Sequence, residues 1–120
     1  MYSPRLLDHF EHPRNVGELP PPALVVEVSN PACGDILRLS AEIDSQGIVT
    51  KAAFKVRGCT ASIAAGSALT ELIKDKPIRE LSSLRAAAID QAVGGLEPAS
   101  QHAAVLCADA LKRLVLAHGR

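Results

Sequence analysis

The chain has 120 residues, 48% of them apolar, with 13 basic and 13 acidic side chains and no formal net charge. That is enough apolar content to bury a core and too little length for two, so one domain spanning residues 1–120 is expected. Balanced charge without a Lys/Arg tract gives no electrostatic reason to bind nucleic acid, and an aromatic content of 2% argues against surfaces that stack bases or sugars. The longest apolar window, residues 61–72, is broken by Ser62, Gly66, Ser67, Thr70 and Glu71, so no membrane partner is expected. Arg5, Asp8, His9, Glu11 and Arg14 rule out a signal-peptide reading of the first residues. Three cysteines without close spacing make a poor disulfide framework, and a reducing, cytoplasmic location follows as the expectation.

Along the chain, residues 3–11 suit a short helix with Ser3 as N-cap, Pro4 at the first helical position, and Leu6, Leu7 and Phe10 on one side. His12-Pro13 ends it, Arg14-Asn15-Val16-Gly17 reads as a turn, and the prolines at 20–22 form a stiff connector. Three strands are predicted over 23–28, 35–43 and 48–57 from their β-branched content and alternation. Asp44-Ser45-Gln46-Gly47 is a hairpin loop, which makes the second and third strands antiparallel. Helices are predicted over 60–75, 77–81 and 85–93, the last stopped by Gly94-Gly95, and a final helix capped by Ser100 runs to about residue 117. Strands first and helices after define an α+β fold, a three-stranded antiparallel sheet with helices packed on one face.

The chemistry-bearing residues are few. Cys33 lies in Pro31-Ala32-Cys33-Gly34-Asp35, and Cys59 follows Gly58 at a helix N-terminus, where unpaired N–H groups favour a thiolate. The antiparallel hairpin brings the start of the second strand and the end of the third to one sheet edge, so Cys33, Asp35 and Cys59 are expected close together. The alternative is a pair of separate core thiols, since cysteine is among the most buried residue types. Asp35 serves as a metal ligand or a turn cap. His102, in the first turn of the last helix, offers an imidazole suited to zinc or iron, or packs as an ordinary surface residue. Cys107 is turned away from His102 by about 140° and shares a stripe with Leu111 and Leu114, which reads as a core thiol.

Taken together, Tyr2, the run from Asp8 to Gly17, Pro31–Asp35, Phe54-Lys55, Gly58-Cys59, the small-residue segment with Ser62, Ala64 and Ser67, and Ala108-Asp109-Ala110-Leu111-Lys112 resemble the IscU/NifU-type iron–sulfur cluster assembly scaffolds over essentially the whole chain. The resemblance implies a SufE/NifU-like fold and a non-enzymatic scaffold or carrier. Such a scaffold holds a transient [2Fe–2S] cluster, or iron and sulfide, takes sulfur from a cysteine desulfurase and serves apo iron–sulfur client proteins. It assigns ligand roles to Cys33, Asp35, Cys59 and His102. The family's third ligand cysteine directly follows the histidine, where this chain has Ala103, and that role does not pass to Cys107 by alignment. The family's Leu-Pro-Pro-Val-Lys chaperone-recognition stretch is here Leu96-Glu97-Pro98-Ala99-Ser100, so an Hsp70-type partner is not carried over. Four donors still suffice for a tetrahedral Zn²⁺ site or a cluster of mixed ligation. A diverged zinc-binding or regulatory protein of the assembly machinery is therefore the alternative. A cysteine-dependent enzyme built on Cys59 and His102 ranks below both, because no substrate pocket is legible.

Overall fold

The first helix, α1 (Pro4–Glu11), starts where its sequence says it should: Ser3 Oγ accepts from the Leu6 N–H at 3.0 Å, and Pro4 opens the first turn. The computed structural model describes residues 2–31 and 34–119. The buried face of α1 differs from the apolar one read from its sequence. Leu6 and His9 turn inward, while Leu7 and Phe10 are 38% and 37% exposed. The reason is polar: His9 finds a partner on the neighbouring helix that Leu7 and Phe10 do not need.

After α1 the chain turns through Asn15, at φ 59°, and its next residues seal a sheet edge. Strands β1 (Leu24–Ser29), β2 (Ile36–Ile43) and β3 (Val49–Arg57) form an antiparallel meander in the order β1-β2-β3. Residues 15–17 run parallel to β3, with Phe54 N–H donating to the Asn15 carbonyl at 2.9 Å and Gly17 N–H to the Phe54 carbonyl at 2.8 Å. An edge that would otherwise invite pairing is thus covered. The β2–β3 hairpin closes through Asp44, whose Oδ1 accepts from the N–H groups of Gln46 and Ile48, both at 2.9 Å. Its register sets Ile36 opposite Arg57 and Leu39 opposite Phe54. Leu37, Leu39, Ala41, Ala52 and Phe54 lie on the core face, as the two-residue period requires.

Helix α2 (Thr60–Ile73) is central and buried nearly all round, which explains its Ala, Ser and Gly content. It packs on β3, with α1 on another flank. A Cβ on Gly66 would lie 2.6 Å from Phe54 Cδ2, so only glycine admits that ring. Helices α3 (Ile78–Leu81) and α4 (Ala86–Ala92) lead to Gly94 and Gly95, both at positive φ. A 3-10 turn, Pro98–Ser100, then runs into α5 (Gln101–His118) in place of a side-chain cap from Ser100. Helix α5 lies along β1 and β2, burying Ala103, Ala104, Leu106, Cys107, Ala110, Leu111 and Leu114. No helix among the described residues is long and apolar enough to cross a membrane.

The polar run after α1 seats that helix. Ser67 Oγ accepts from the Arg14 N–H at 2.8 Å and lies 2.8 Å from His9 Nδ1, so its hydrogen is directed at the imidazole. Arg14 also pairs with Asp8 at 2.6 Å, His9 Nε2 faces Glu71 Oε1 at 3.6 Å, and Asn15 Nδ2 donates to Thr70 Oγ1 at 3.1 Å. Burial, then the Arg14 charge, holds the His9 pKa below its ordinary 6.5, against the pull of Glu71 and Asp8. A histidine kept neutral in the fold takes its proton first in the unfolded chain. Its contribution is therefore complete above about pH 6.5 and is lost as pH falls below that value. The unfolding free energy measured in urea should drop between pH 7.5 and 5.5, by no more than about 1.4 kcal/mol from this group. His9→Gln should flatten that part of the pH dependence.

Candidate metal centre

Three segments meet at one end of the hairpin. Asp35 enters β2 and is only 5% exposed, Cys59 is the N-cap residue of α2, and His102 lies in the first turn of α5. Cys59 has extended backbone angles, and its side chain makes no cap bond, which leaves the thiol facing the other two residues. Gly58 lets Asp35 sit this close: a Cβ there would approach the carboxyl carbon to 2.7 Å. Gly58→Ala is accordingly expected to displace the Asp35 carboxylate and weaken binding of a divalent ion by about 10- to 100-fold, read by competitive Zn²⁺ titration. The thiol of Cys59 should be retained.

The donor atoms converge. His102 Nε2 is 3.4 Å from Asp35 Oδ2 and 3.5 Å from Cys59 Sγ, and Cys59 Sγ is 3.6 Å from Asp35 Oδ2. Bonds of about 2.0 Å to nitrogen and oxygen and about 2.3 Å to sulfur put tetrahedral neighbours about 3.3 Å (N–O) and about 3.5 Å (S–N, S–O) apart. The three atoms therefore already occupy one face of a tetrahedron sized for a single metal ion. His102 Nδ1 lies 3.2 Å from the Ala99 carbonyl. Donation of the Nδ1 hydrogen to that oxygen fixes the ring and directs the Nε2 lone pair inward, as a carbonyl commonly does for a metal-binding imidazole. Thiolate, imidazole and carboxylate together make a mixed soft and hard set, suited to zinc or iron.

Of the four candidate ligands, Asp35, Cys59 and His102 are brought together. Cys33 lies outside the described residues. Ala103 is fully buried on the core side of α5. Cys107 is 1% exposed among the core residues, and burial pushes its thiol up to about 12, so it offers no thiolate at neutral pH. One residue of the cluster was not read as a candidate from the sequence. Ser62 donates to Asp35 Oδ2 and sits with its Oγ 3.4 Å from Cys59 Sγ. Its position three residues after Cys59, on the same face of a helix, was the available signal.

The chain is thus an α+β domain that gathers a thiol, a carboxylate and an imidazole at one sheet end, a donor set of the size and chemistry of a single-ion site. Residues 1–119 match the family described as NifU-like N terminal domain. The protein named iron-sulfur cluster assembly scaffold protein IscU in Buchnera aphidicola subsp. Acyrthosiphon pisum is 38% identical over 117 residues, covering 95% of this chain and 91% of that protein. The protein of the same name in Azotobacter vinelandii gives the same identity and coverage. Among solved structures, a NifU-like protein (N-terminal) from Brucella abortus has a TM-score of 0.77 at 20% identity, covering 95% of this chain and 91% of that one, a likeness of fold. The chain belongs to the NifU-like N-terminal domain family.

Proposed function

We propose that this protein is an iron–sulfur cluster assembly scaffold, a carrier rather than a catalyst of turnover. It receives iron and sulfide, holds them as a transient [2Fe–2S] cluster, and passes them to apo-proteins. Family membership and the scaffold names of its relatives support the reading. The observation that carries it is the convergence of Asp35, Cys59 and His102 from three separate segments.

In this reading the metal is cargo. Cys59 supplies the soft ligand, His102 is held in its ligating orientation by Ala99, and Asp35 supplies a hard oxygen that exchanges more readily than a thiolate. Cys33, two residues before Asp35 in sequence, is the second thiolate. A ligand set with one carboxylate favours release, which a carrier needs. Because the three placed donors fit one ion, iron binds first as a mononuclear species, and ligands redistribute between two irons as sulfide arrives. A cysteine desulfurase is the sulfur source and apo iron–sulfur proteins are the recipients, in a reducing compartment such as the cytoplasm. Hsp70-type recognition forms no part of the proposal, because the stretch Leu96-Glu97-Pro98-Ala99-Ser100 lacks the family's lysine and carries an acidic residue, Glu97.

The test is anaerobic reconstitution with ferrous iron, a desulfurase, cysteine and a thiol reductant that takes the transferred sulfur to the sulfide level, read by visible absorption and by iron and sulfide content. A coloured product should form, survive Cys107→Ser, and be lost in Cys33→Ser and Cys59→Ser. A colourless protein that retains only stoichiometric zinc would overturn the scaffold reading in favour of a zinc-binding interaction protein.

A further inference from the structure

We propose that Ser62 is a positioning residue of the metal centre, holding the Asp35 carboxylate so that it meets an incoming ion through Oδ2 alone. The proposal rests on the metal-site reading of Asp35, Cys59 and His102, and it names a residue that supplies no ligand atom itself. Ser62 is 1% exposed in the first turn of α2. A hydroxyl in that position commonly bonds within its own helix terminus. Here it reaches 27 residues back in sequence to donate to Asp35 Oδ2, the same oxygen that faces Cys59 and His102.

The physical consequence follows from lone pairs. A carboxylate oxygen accepts from two in-plane directions. One on Oδ2 is taken by Ser62, which leaves the other for the metal. One face of the carboxyl is packed against Gly58, where a methyl group would come within 2.9 Å of both oxygens and would not fit. Held between the Ser62 hydroxyl and the Gly58 backbone, the carboxylate is denied the broad rotation that the terminal torsion of aspartate otherwise has. Ser62 spends its single hydrogen on Asp35, so its oxygen lone pairs face Cys59 Sγ at 3.4 Å. The hydroxyl therefore lies beside two of the three donors and fixes one of them.

The experiment is titration of the metal-free protein with Co²⁺ and with Zn²⁺ in competition, read by the visible bands of tetrahedral cobalt. Ser62→Ala, a better helix former of smaller volume, should raise the Co²⁺ dissociation constant about 10- to 100-fold and weaken the tetrahedral bands. Ser62→Thr keeps the hydroxyl and should stay within about threefold of wild type. In an Asp35→Ala background, Ser62→Ala should change affinity by less than about twofold, because the two residues act as one unit.

Unchanged cobalt affinity in Ser62→Ala would overturn the proposal. So would an equal loss in Ser62→Thr, or a loss that persists without Asp35. Collapse of the circular-dichroism spectrum in Ser62→Ala would make the bond a structural one and overturn it as well. If the wild type binds no cobalt, the site reading and the Ser62 role fall together. If it binds cobalt normally but builds no cluster, the scaffold reading falls while the Ser62 role stands.

Discussion

Cys59→Ala is expected to reduce retained metal by at least 100-fold while leaving the unfolding free energy in urea within about 0.5 kcal/mol of wild type. The argument for the first half is coordination chemistry. Sγ is the one soft donor among the three that converge, and its removal leaves an imidazole and a carboxylate, a pair with much weaker claims on zinc or iron. The argument for the second half is exposure. Cys59 is exposed and makes no cap bond, and its side-chain hydrogen bonds among the described residues go to Asp35, Ser62 and His102 of the site itself. Cys107→Ala should behave in the opposite way. Its thiol is buried in the hydrophobic core, so metal retention should be untouched and stability should fall by about 1 kcal/mol for the lost volume. Metal content by mass spectrometry alongside urea denaturation separates the two. A Cys59→Ala protein that still retains metal with near wild-type affinity would remove Cys59 from the ligand set.

Phe54→Ala should destabilise the fold by about 3–5 kcal/mol, a large share of the roughly 5–15 kcal/mol available to a domain of this size. Phe54 is 2% exposed, and it is the largest of the fully buried side chains. Its ring lies over Gly66 of α2 so closely that no Cβ would fit between them, and Leu39 sits opposite it on β2. Removal of the ring opens a cavity that α2 can close only by moving onto the sheet. Its backbone also carries the bonds to Asn15 and Gly17, which do not depend on the side chain and should persist. The loss therefore measures packing between α2 and β3. A measured loss below about 1.5 kcal/mol would show that the ring is not a keystone of that interface.

Much of this molecule could be read before any coordinates existed. β-branched content and alternation located three strands, a Gly-containing loop closed the hairpin, and proline and glycine marked the helix ends, because these signals act within a few residues. Antiparallel pairing then forced Asp35 and Cys59 to one sheet end: once Ile36 pairs with Arg57, the residues just beyond each must be neighbours. The core reading of Cys107 followed from helical phase alone.

What required the tertiary structure were facts about contact between segments distant in sequence. α1 buries His9 rather than Phe10 because the partner that satisfies the imidazole, Ser67, belongs to another helix. Residues 15–17 pair with β3 because that edge lay open, which turn chemistry does not reveal. The approach of His102 to Asp35 and Cys59 depends on how α5 crosses the sheet, and Ser62 joins the site only because α2 begins beside β2. The amino-acid sequence by itself determined the elements, their order and the hairpin geometry, since those are set by local sterics and periodicity. Only the packing of α2 and α5 against the sheet decided which donor atoms converge, because donor spacing is a property of three bodies in space and not of any one segment.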